Sequence, residues 1–302
     1  MKIVFQFLVV GLLLFSSGCK EEPNSKEAIS ELQKDTADND ADVPSLWISK
    51  RVEKAKNRLE KSEAGKVVWN ATEAHGGLAK WYGNGALAFR FDYQPLDGST
   101  QRDSYQTIDT WSNRARHTSA TDSTAQFGWT GEKAWVKAKD STAFAYDTRF
   151  WALTPYYFLA QPFVLDGEGV NLELLPQITY KNKVQDVVKV TFDSGTGDAP
   201  DDYYVLYFTE DTHRLSAIRY IVSYPGYFEK GEHLPEKFME VIGEKRVDGI
   251  VFPTDYKTHW LTEDQKPGEY ITKIEVSDVN FTKDIEEGFF DVPEGAEIVD
   301  GP

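Results

Sequence analysis

The segment Ala86-Leu-Ala-Phe-Arg-Phe-Asp-Tyr-Gln-Pro95 decides the fold of this chain. Apolar or aromatic side chains occupy every second position from Leu87 to Tyr93, and most of the positions between them are polar. A period of two residues is typical of a β-strand that buries one of its faces. The turn dipeptide Asp97-Gly98 follows, so the segment predicts one strand of a sheet in which the chain then turns back on itself.

Further segments of β type follow, separated by turn residues such as Thr130-Gly131 and Asp248-Gly249. Short turns of this kind join neighbouring antiparallel strands. The composition agrees, because 18 Phe, 15 Tyr and 8 Trp against 2 Met favour a sheet over a helix bundle. The predicted strands cover residues 104–111, 114–118, 125–129, 134–138, 184–192, 203–209, 215–224, 237–247, 251–261 and 270–281.

Residues 44–84 precede the predicted sheet and show a helical repeat instead. Val52, Ala55 and Leu59 recur at helical spacing in a first segment, which Gly65 interrupts. A second helix is predicted over residues 66–75, with Gly76-Gly77 as its stop. His75 at its end is expected to be a cation that interacts favourably with the helix dipole.

One segment inside the β-rich region breaks the period of two, namely Leu153-Thr-Pro-Tyr-Tyr-Phe-Leu-Ala-Gln-Pro-Phe163. Thr154 can cap a helix, Pro155 suits the first helical position and Pro162 ends the helix. The segment therefore predicts a short aromatic helix over residues 154–161, packed against the concave face of the sheet.

The N-terminus has the layout of a secretory signal peptide, with Lys2, an apolar run over residues 3–15, and small residues after it. The run is shorter than the ~20 residues that span a bilayer. Cys19, the only cysteine of the chain, follows directly and resembles the cysteine of a bacterial lipobox. That resemblance implies cleavage before Cys19 and acylation of its thiol, which would attach the chain to a membrane. The alternative is an ordinary secreted protein with a cysteine near its cleavage site.

Residues 19–43 are acidic, contain no aromatic residue and are predicted to form a disordered tether. The start of this segment, Lys20-Glu21-Glu22, resembles the signal that sends Bacteroidota-type lipoproteins to the outer cell surface. The expected location is therefore the outer membrane, at its periplasmic face or at the cell surface.

Several short motifs between residues 65 and 293 together resemble the fold of LolA and LolB, a periplasmic lipoprotein carrier and its outer-membrane acceptor. The motifs correspond to a basic strand with a following hairpin, a short helix, an acidic turn and the approach to a late strand. They are Arg114-Ala-Arg116 with Thr130-Gly-Glu-Lys-Ala-Trp135, Thr154-Pro155 with Phe158-Leu159, Glu210-Asp-Thr-His-Arg-Leu215, and Asp248-Gly-Ile-Val-Phe-Pro253. Ala74-His-Gly-Gly-Leu78 with Trp81 also resembles a Bacteroidota-type lipoprotein family within this group.

The resemblance implies an α+β fold, in which a curved antiparallel sheet or incomplete β-barrel carries N-terminal helices and a short helix covering its concave face. On this interpretation residues 1–18 are the lipoprotein signal peptide, 19–43 the tether and 44–84 the N-terminal helices. Residues 85–302 are the half-barrel, which forms one globular domain with residues 44–84.

The family also implies an apolar cavity that holds acyl chains, such as palmitate, without catalysis. The candidate cavity residues are aromatic, and each could equally be ordinary core. They are Phe89, Phe91, Trp111, Trp129, Trp135, Trp151, Tyr157, Phe158 and Phe163. A concave face filled by side chains would instead favour a cell-surface structural or interaction module without a ligand cavity.

Two chemical alternatives come from one loop. Val190-Thr-Phe-Asp193-Ser-Gly-Thr196 resembles the aspartic-protease signature. That chemistry needs two carboxylates that share a proton. Because the chain has a single copy, centred on Asp193, a hydrolase of this type could work only as a symmetric dimer. Asp193, Asp198, Asp201 and Asp202 could bind calcium, although they lack the spacing of a calcium loop.

The net charge and the placement of the histidines limit which partners and metals the chain can bind. A net charge of −16 argues against nucleic acid, whose phosphates require clustered cations. The five histidines are remote from one another in sequence, so no zinc site is predicted. We expect no cofactor and no metal, a membrane partner through acylated Cys19, a lipid or acyl-chain ligand, and a monomeric chain.

Overall fold

The computed structural model of the chain describes residues 45–140 and 142–301. The predicted signal peptide, Cys19 and the acidic tether lie outside the described residues. None of the helices within those two ranges has both the length and the apolar character that a membrane crossing requires.

Within the described residues, three helices precede the sheet: α1 (Ser45–Leu59), α2 (Glu63–His75) and α3 (Leu78–Gly83). α2 begins at Glu63 rather than at Lys66, because the hydroxyl of Ser62 accepts a hydrogen bond from the N–H of Gly65 at 3.0 Å. Gly65 thus lies in the first turn of α2. A Cβ at this position would clash with the carbonyl of Leu59, so the glycine lets α2 pass close to the end of α1.

α2 ends at the predicted glycines. Gly76 has a φ of 129° and donates its N–H to the carbonyl of Glu73 at 3.1 Å. The prediction for His75 is wrong, however, because its ring points into the core. Its Nδ1 lies 2.7 Å from the carbonyl of Ala71, and its Nε2 accepts from the N–H of Leu215 at 3.4 Å. Burial lowers the pKa of His75 to about 4, so the ring is neutral rather than a cation.

The sheet has thirteen strands. They are β1 (Ala86–Pro95), β2 (Arg102–Ile108), β3 (Ala115–Ser119), β4 (Gln126–Trp129), β5 (Ala134–Lys137), β6 (Val170–Tyr180), β7 (Lys183–Phe192), β8 (Tyr204–Thr209), β9 (Leu215–Tyr220), β10 (Lys237–Val247), β11 (Ile250–Leu261), β12 (Pro267–Thr282) and β13 (Glu297–Val299).

The strands form two antiparallel meanders that meet where β1 pairs with β12. Their order is β13-β5-β4-β3-β2-β1-β12-β11-β10-β9-β8-β7-β6, and Tyr93 lies opposite Ile274 at the junction. The row ends at β13 and at β6, which do not pair with each other, so the sheet is open and curved rather than closed. The predicted α+β fold class is confirmed.

Two α-helices of the described chain cross the concave face between β5 and β6: α4 (Thr148–Trp151) and α5 (Thr154–Leu159), and a 3₁₀ helix over Phe163–Leu165 follows them. Pro155 takes an early position of α5, as predicted. The Thr154 hydroxyl does not cap this helix. It donates to the carbonyl of Phe150 at 2.6 Å and so ties α5 to α4.

The alternation of side chains divides the apolar residues between the two faces of the sheet. Val188, Leu206 and Ile218 face the helices and belong to the main core. Their sequence neighbours Val187 and Val205 lie on the other face, in a smaller cluster completed by Tyr207, Ala217 and Phe238. The concave face therefore carries the main core and, with it, the space under α4 and α5.

Candidate functional site

A cavity of 670 Å³ lies between the α4–α5 segment and the concave face of the sheet. Most of its lining residues are apolar or aromatic, and nine are charged. Six of the nine predicted candidates line it: Phe91, Trp129, Trp151, Tyr157, Phe158 and Phe163.

α5 forms the roof of this cavity, and β8, β9 and β11 hold it in place. The Phe158 ring packs against that of Tyr220, with centroids 4.9 Å apart, and against Tyr204 at 6.1 Å. The carbonyl of Phe158 accepts a hydrogen bond from the hydroxyl of Tyr256 at 3.1 Å. These contacts fix the height of the roof above the strands.

Trp151 and Phe163 line the cavity from either end of α5. The Trp151 ring meets Tyr93 of β1 edge-on, with centroids 5.2 Å apart. The Phe163 ring stacks on Trp81 of α3 at 4.4 Å with an interplanar angle of 4°. Aromatic rings from helices and strands therefore enclose the same space.

The other three candidates are not among the cavity-lining residues. Phe89 is buried in the main core, 6.4 Å from Phe91. Trp111 packs on Tyr82 at 4.9 Å. Trp135 lies opposite Gly128 on the face away from the cavity, where its ring leaves no room for a Cβ on that glycine.

Most charges at the margin of the cavity are paired. Arg51 binds Asp166 at 3.0 Å, and the hydroxyl of Tyr82 donates to the same carboxylate at 2.7 Å. Arg149 binds Asp198 at 2.5 Å while its guanidinium lies 3.6 Å from the centroid of the Trp129 ring. Burial raises the pKa of Asp198 despite this arginine.

Two cavity-lining cations, Arg102 and Lys237, were not predicted as site residues. Burial lowers the pKa of Lys237 to about 8, and the positive charge of Arg102 adds to the effect. Their local sequence resembles that of solvated strand ends, so no local signal would have identified them.

The loop after β7 offers no shared site for its carboxylates. Asp193 is exposed and accepts a hydrogen bond from the amide of Asn171 at 2.7 Å. Asp202 is buried and accepts from the backbone N–H of Ser223 at 2.6 Å and from its hydroxyl at 2.7 Å. Asp198 binds Arg149, so these three carboxylates have three different partners, and Asp201 is exposed.

No group of three or more His, Cys, Asp or Glu side chains in residues 45–140 and 142–301 is arranged to hold a metal ion. His117 is in the core, with its Nε2 2.8 Å from the carbonyl of Ala152, and burial lowers its pKa to about 3.

An interaction module could use exposed apolar side chains near the sheet edge formed by β6. Leu174 and Ile178 of β6 and Val184 of β7 are exposed there.

No protein-family model matches this sequence, and no curated protein matches it either. Among solved structures, the chain is similar to a LolA superfamily protein from Nitrosomonas europaea, at 11% identity and a TM-score of 0.47, covering 75% of this chain and 96% of that one. It is also similar to a domain assigned to outer-membrane lipoprotein sorting from Vibrio parahaemolyticus, at 12% identity and a TM-score of 0.49, covering 76% and 97%.

A third similar structure is a DUF1329 family protein from Desulfovibrio piger, at 12% identity and a TM-score of 0.45, covering 81% of this chain and 97% of that one. Similarities of this size concern the fold alone. The matched structures include LolA-like proteins, the group that the sequence motifs resemble. The Bacteroidota-type resemblance stays a prediction.

Proposed function

We propose that this protein is a membrane-anchored lipoprotein that holds an acyl chain or a similar apolar ligand beneath α5, without catalysing a reaction. The observation that carries the proposal is the cavity of 670 Å³ between α5 and the concave face. Ligand sites commonly measure about 300–1,000 Å³, with a mostly apolar lining and a few polar groups.

The aromatic lining supports an apolar ligand. Protein interiors are packed to nearly crystalline density, so a space of this size is not a packing defect. Transfer of apolar surface from water contributes roughly 25 cal/mol per Å². A hydrocarbon chain in contact with Phe91, Trp151 and Phe158 would therefore gain free energy by leaving water.

The anchor is the second part of the proposal and rests on Cys19. Acyl chains on this residue, followed by the acidic segment 20–43, would hold the ligand-binding domain close to the outer membrane. The protein would then act at the periplasmic face of the outer membrane or at the cell surface, where membrane lipids are available as ligands.

The test is ligand retention by the full chain carrying Cys19→Ser, incubated with membrane extract and measured by native mass spectrometry. Val222 lines the cavity, so Val222→Trp should obstruct the space beneath α5 and abolish the bound mass. Val184→Trp is the matched control, because Val184 is an exposed valine outside the cavity.

A bound mass that is lost only in Val222→Trp supports the proposal. No retained ligand, together with a melting temperature that fatty acids and phospholipids leave unchanged, would refute it, because a ligand of the native state must raise its apparent stability. That outcome would favour the interaction-module alternative.

A further inference from the structure

Two cations lie at one end of the cavity. Arg102 is the first residue of β2, and Lys237 is the first residue of β10. Three strands separate β2 from β10 in an antiparallel sheet, so the two strands run in the same direction and begin at the same end. Both side chains line the cavity there.

The neighbouring carboxylates do not neutralise these cations. Asp103 follows Arg102 in sequence but lies on the other face of the sheet, where it binds Arg90 at 2.6 Å. Glu236 precedes Lys237 and binds Arg219 at 2.9 Å. Within the described ranges, neither the guanidinium of Arg102 nor the ammonium of Lys237 forms an ion pair or a hydrogen bond.

The remaining acidic groups that line the cavity have other partners as well. Glu168 binds Lys54 at 2.9 Å, and Asp202 accepts hydrogen bonds from the N–H and hydroxyl of Ser223. Asp166 and Asp198 bind Arg51 and Arg149. The carboxylate of Asp147 caps α4, where it accepts from the N–H of Phe150 at 2.9 Å.

Aromatic rings, rather than acids, surround the two cations. The Arg102 guanidinium carbon lies 4.9 Å from the centroids of both Tyr93 and Trp151. The Lys237 ammonium lies 5.2 Å from Trp260 and 5.8 Å from Tyr220. Rings attract cations and hold them in place, but they do not compensate their net charge.

A third unsatisfied group lies beside them. The indole Nε1 of Trp151 is buried and has no hydrogen-bond partner within the described residues. A buried donor without an acceptor is unfavourable, as is a half-buried charge without a counter-charge. An anionic group at this end of the cavity would supply the counter-charge that the two cations lack.

We propose that the ligand is an anionic amphiphile whose carboxylate or phosphate headgroup binds Arg102 and Lys237 while its apolar tail lies beneath α5. The guanidinium suits bidentate bonding to either headgroup, and the ammonium adds a second charge. This inference rests on the proposed function and adds the chemical class of the ligand.

The experiment compares ligands with one tail and different headgroups: dodecanoate, dodecyl phosphate, dodecanol and dodecyltrimethylammonium. Each is titrated calorimetrically, below its micelle concentration and at pH 7, into the full chain carrying Cys19→Ser. Both anions should bind about tenfold more tightly than dodecanol, which reports the cavity alone, and the cation should bind least. The tighter of the two anions distinguishes a fatty acid from a phosphate lipid.

Arg102→Gln and Lys237→Met should each weaken anion binding by about tenfold and leave dodecanol binding unchanged. Lys257→Met is the matched control, because Lys257 is an exposed lysine that also lies over a ring, 5.8 Å from the centroid of Tyr270. It should change nothing.

Equal affinity for dodecanol and the anions would contradict a binding site for an anionic headgroup, and so would variants that weaken the binding of all ligands alike. Neither result would contradict the proposal that the cavity binds an apolar ligand. Failure of all four amphiphiles to bind would overturn the proposed function, and this inference with it.

Discussion

The guanidinium of Arg102 lies 4.9 Å from the centroid of the Trp151 ring, and the Nε1 of that ring has no hydrogen-bond partner in the described part of the chain. One indole therefore combines two features. Its face positions a cation, and its N–H is a buried donor without an acceptor. The two contributions can be separated by substitution.

Trp151→Phe keeps an aromatic face and removes the N–H, whereas Trp151→Leu removes both. We expect dodecanoate affinity to fall modestly in the first variant and by about fivefold or more in the second, because the cation loses its ring. Calorimetric titration measures both values. Trp47→Leu, at an exposed position outside the cavity, should bind as the parent does. Equal losses in the Phe and Leu variants would show that the ring face is not what holds Arg102.

The affinity for an anionic ligand should depend on pH through Lys237. Its pKa is lowered to about 8 by burial and by Arg102. It faces Tyr220 on β9, whose phenol is kept neutral because burial raises its pKa well above the ordinary value, and Trp260 on β11. The ammonium is charged below pH 8 and loses its proton above it, so dodecanoate binding should be strongest near neutral pH and weaken on the alkaline side.

The measurement is the dissociation constant of dodecanoate between about pH 6.5 and about pH 9.5, over which the carboxylate stays ionised. We expect it to rise above pH 8 in the parent and to stay level in Lys237→Met. A parent profile that matches the flat Lys237→Met profile would contradict a headgroup contact with this lysine.

The buried imidazole of His75 should make the fold sensitive to acid. Its pKa is lowered from 6.5 to about 4, so its contribution to stability is complete above pH 6.5 and is lost as the pH falls toward 4. The shift corresponds to a loss on the order of 3 kcal/mol in the free energy of unfolding. His117 acts in the same direction, because burial lowers its pKa to about 3.

Denaturant titrations between about pH 7 and about pH 4 test this. His75→Gln should be less stable than the parent at pH 7, since it loses the contacts with Ala71 and Leu215, but it should lose less stability on acidification. His233→Gln, at an exposed histidine, is the control and should keep the parental dependence. Parallel curves for parent and His75→Gln would mean that folding does not lower the pKa of this ring.

Most strands could be predicted because inward-facing and outward-facing side chains differ in polarity along them, as in β1. β6 could not, because Pro176 interrupts its pattern and lacks an N–H to donate. The structure accommodates this proline on an edge strand, with a register shift between Leu175 and Ile178. β13 pairs with β5 and is three residues long, and a segment of three residues is too short to show a period of two.

The site was harder to predict than the fold, since a period of two separates the faces of a strand without saying which face is concave. Trp135 looks like Trp129 in sequence, yet pairs with Gly128 on the other side of the sheet. Arg102 and Lys237 have acidic neighbours in sequence, a pattern typical of solvated salt bridges. Alternation of side chains sends each neighbour to the opposite face, and only the tertiary fold brings the two cations to one end of the cavity.

The last prediction concerns the anchor. Cys19→Ser should move the protein from the membrane pellet to the soluble fraction, because serine has no thiol to acylate. Each buried methylene contributes about 0.8 kcal/mol, and one acyl chain gives only marginal binding, so several chains are needed for a stable anchor. Ser17→Ala, two residues earlier, leaves the thiol in place and should stay in the pellet. Inhibition of lipoprotein signal cleavage should leave a larger, unprocessed species. If Cys19→Ser remains with the membrane, then the apolar segment 3–15 is itself an uncleaved anchor and the lipobox interpretation is wrong.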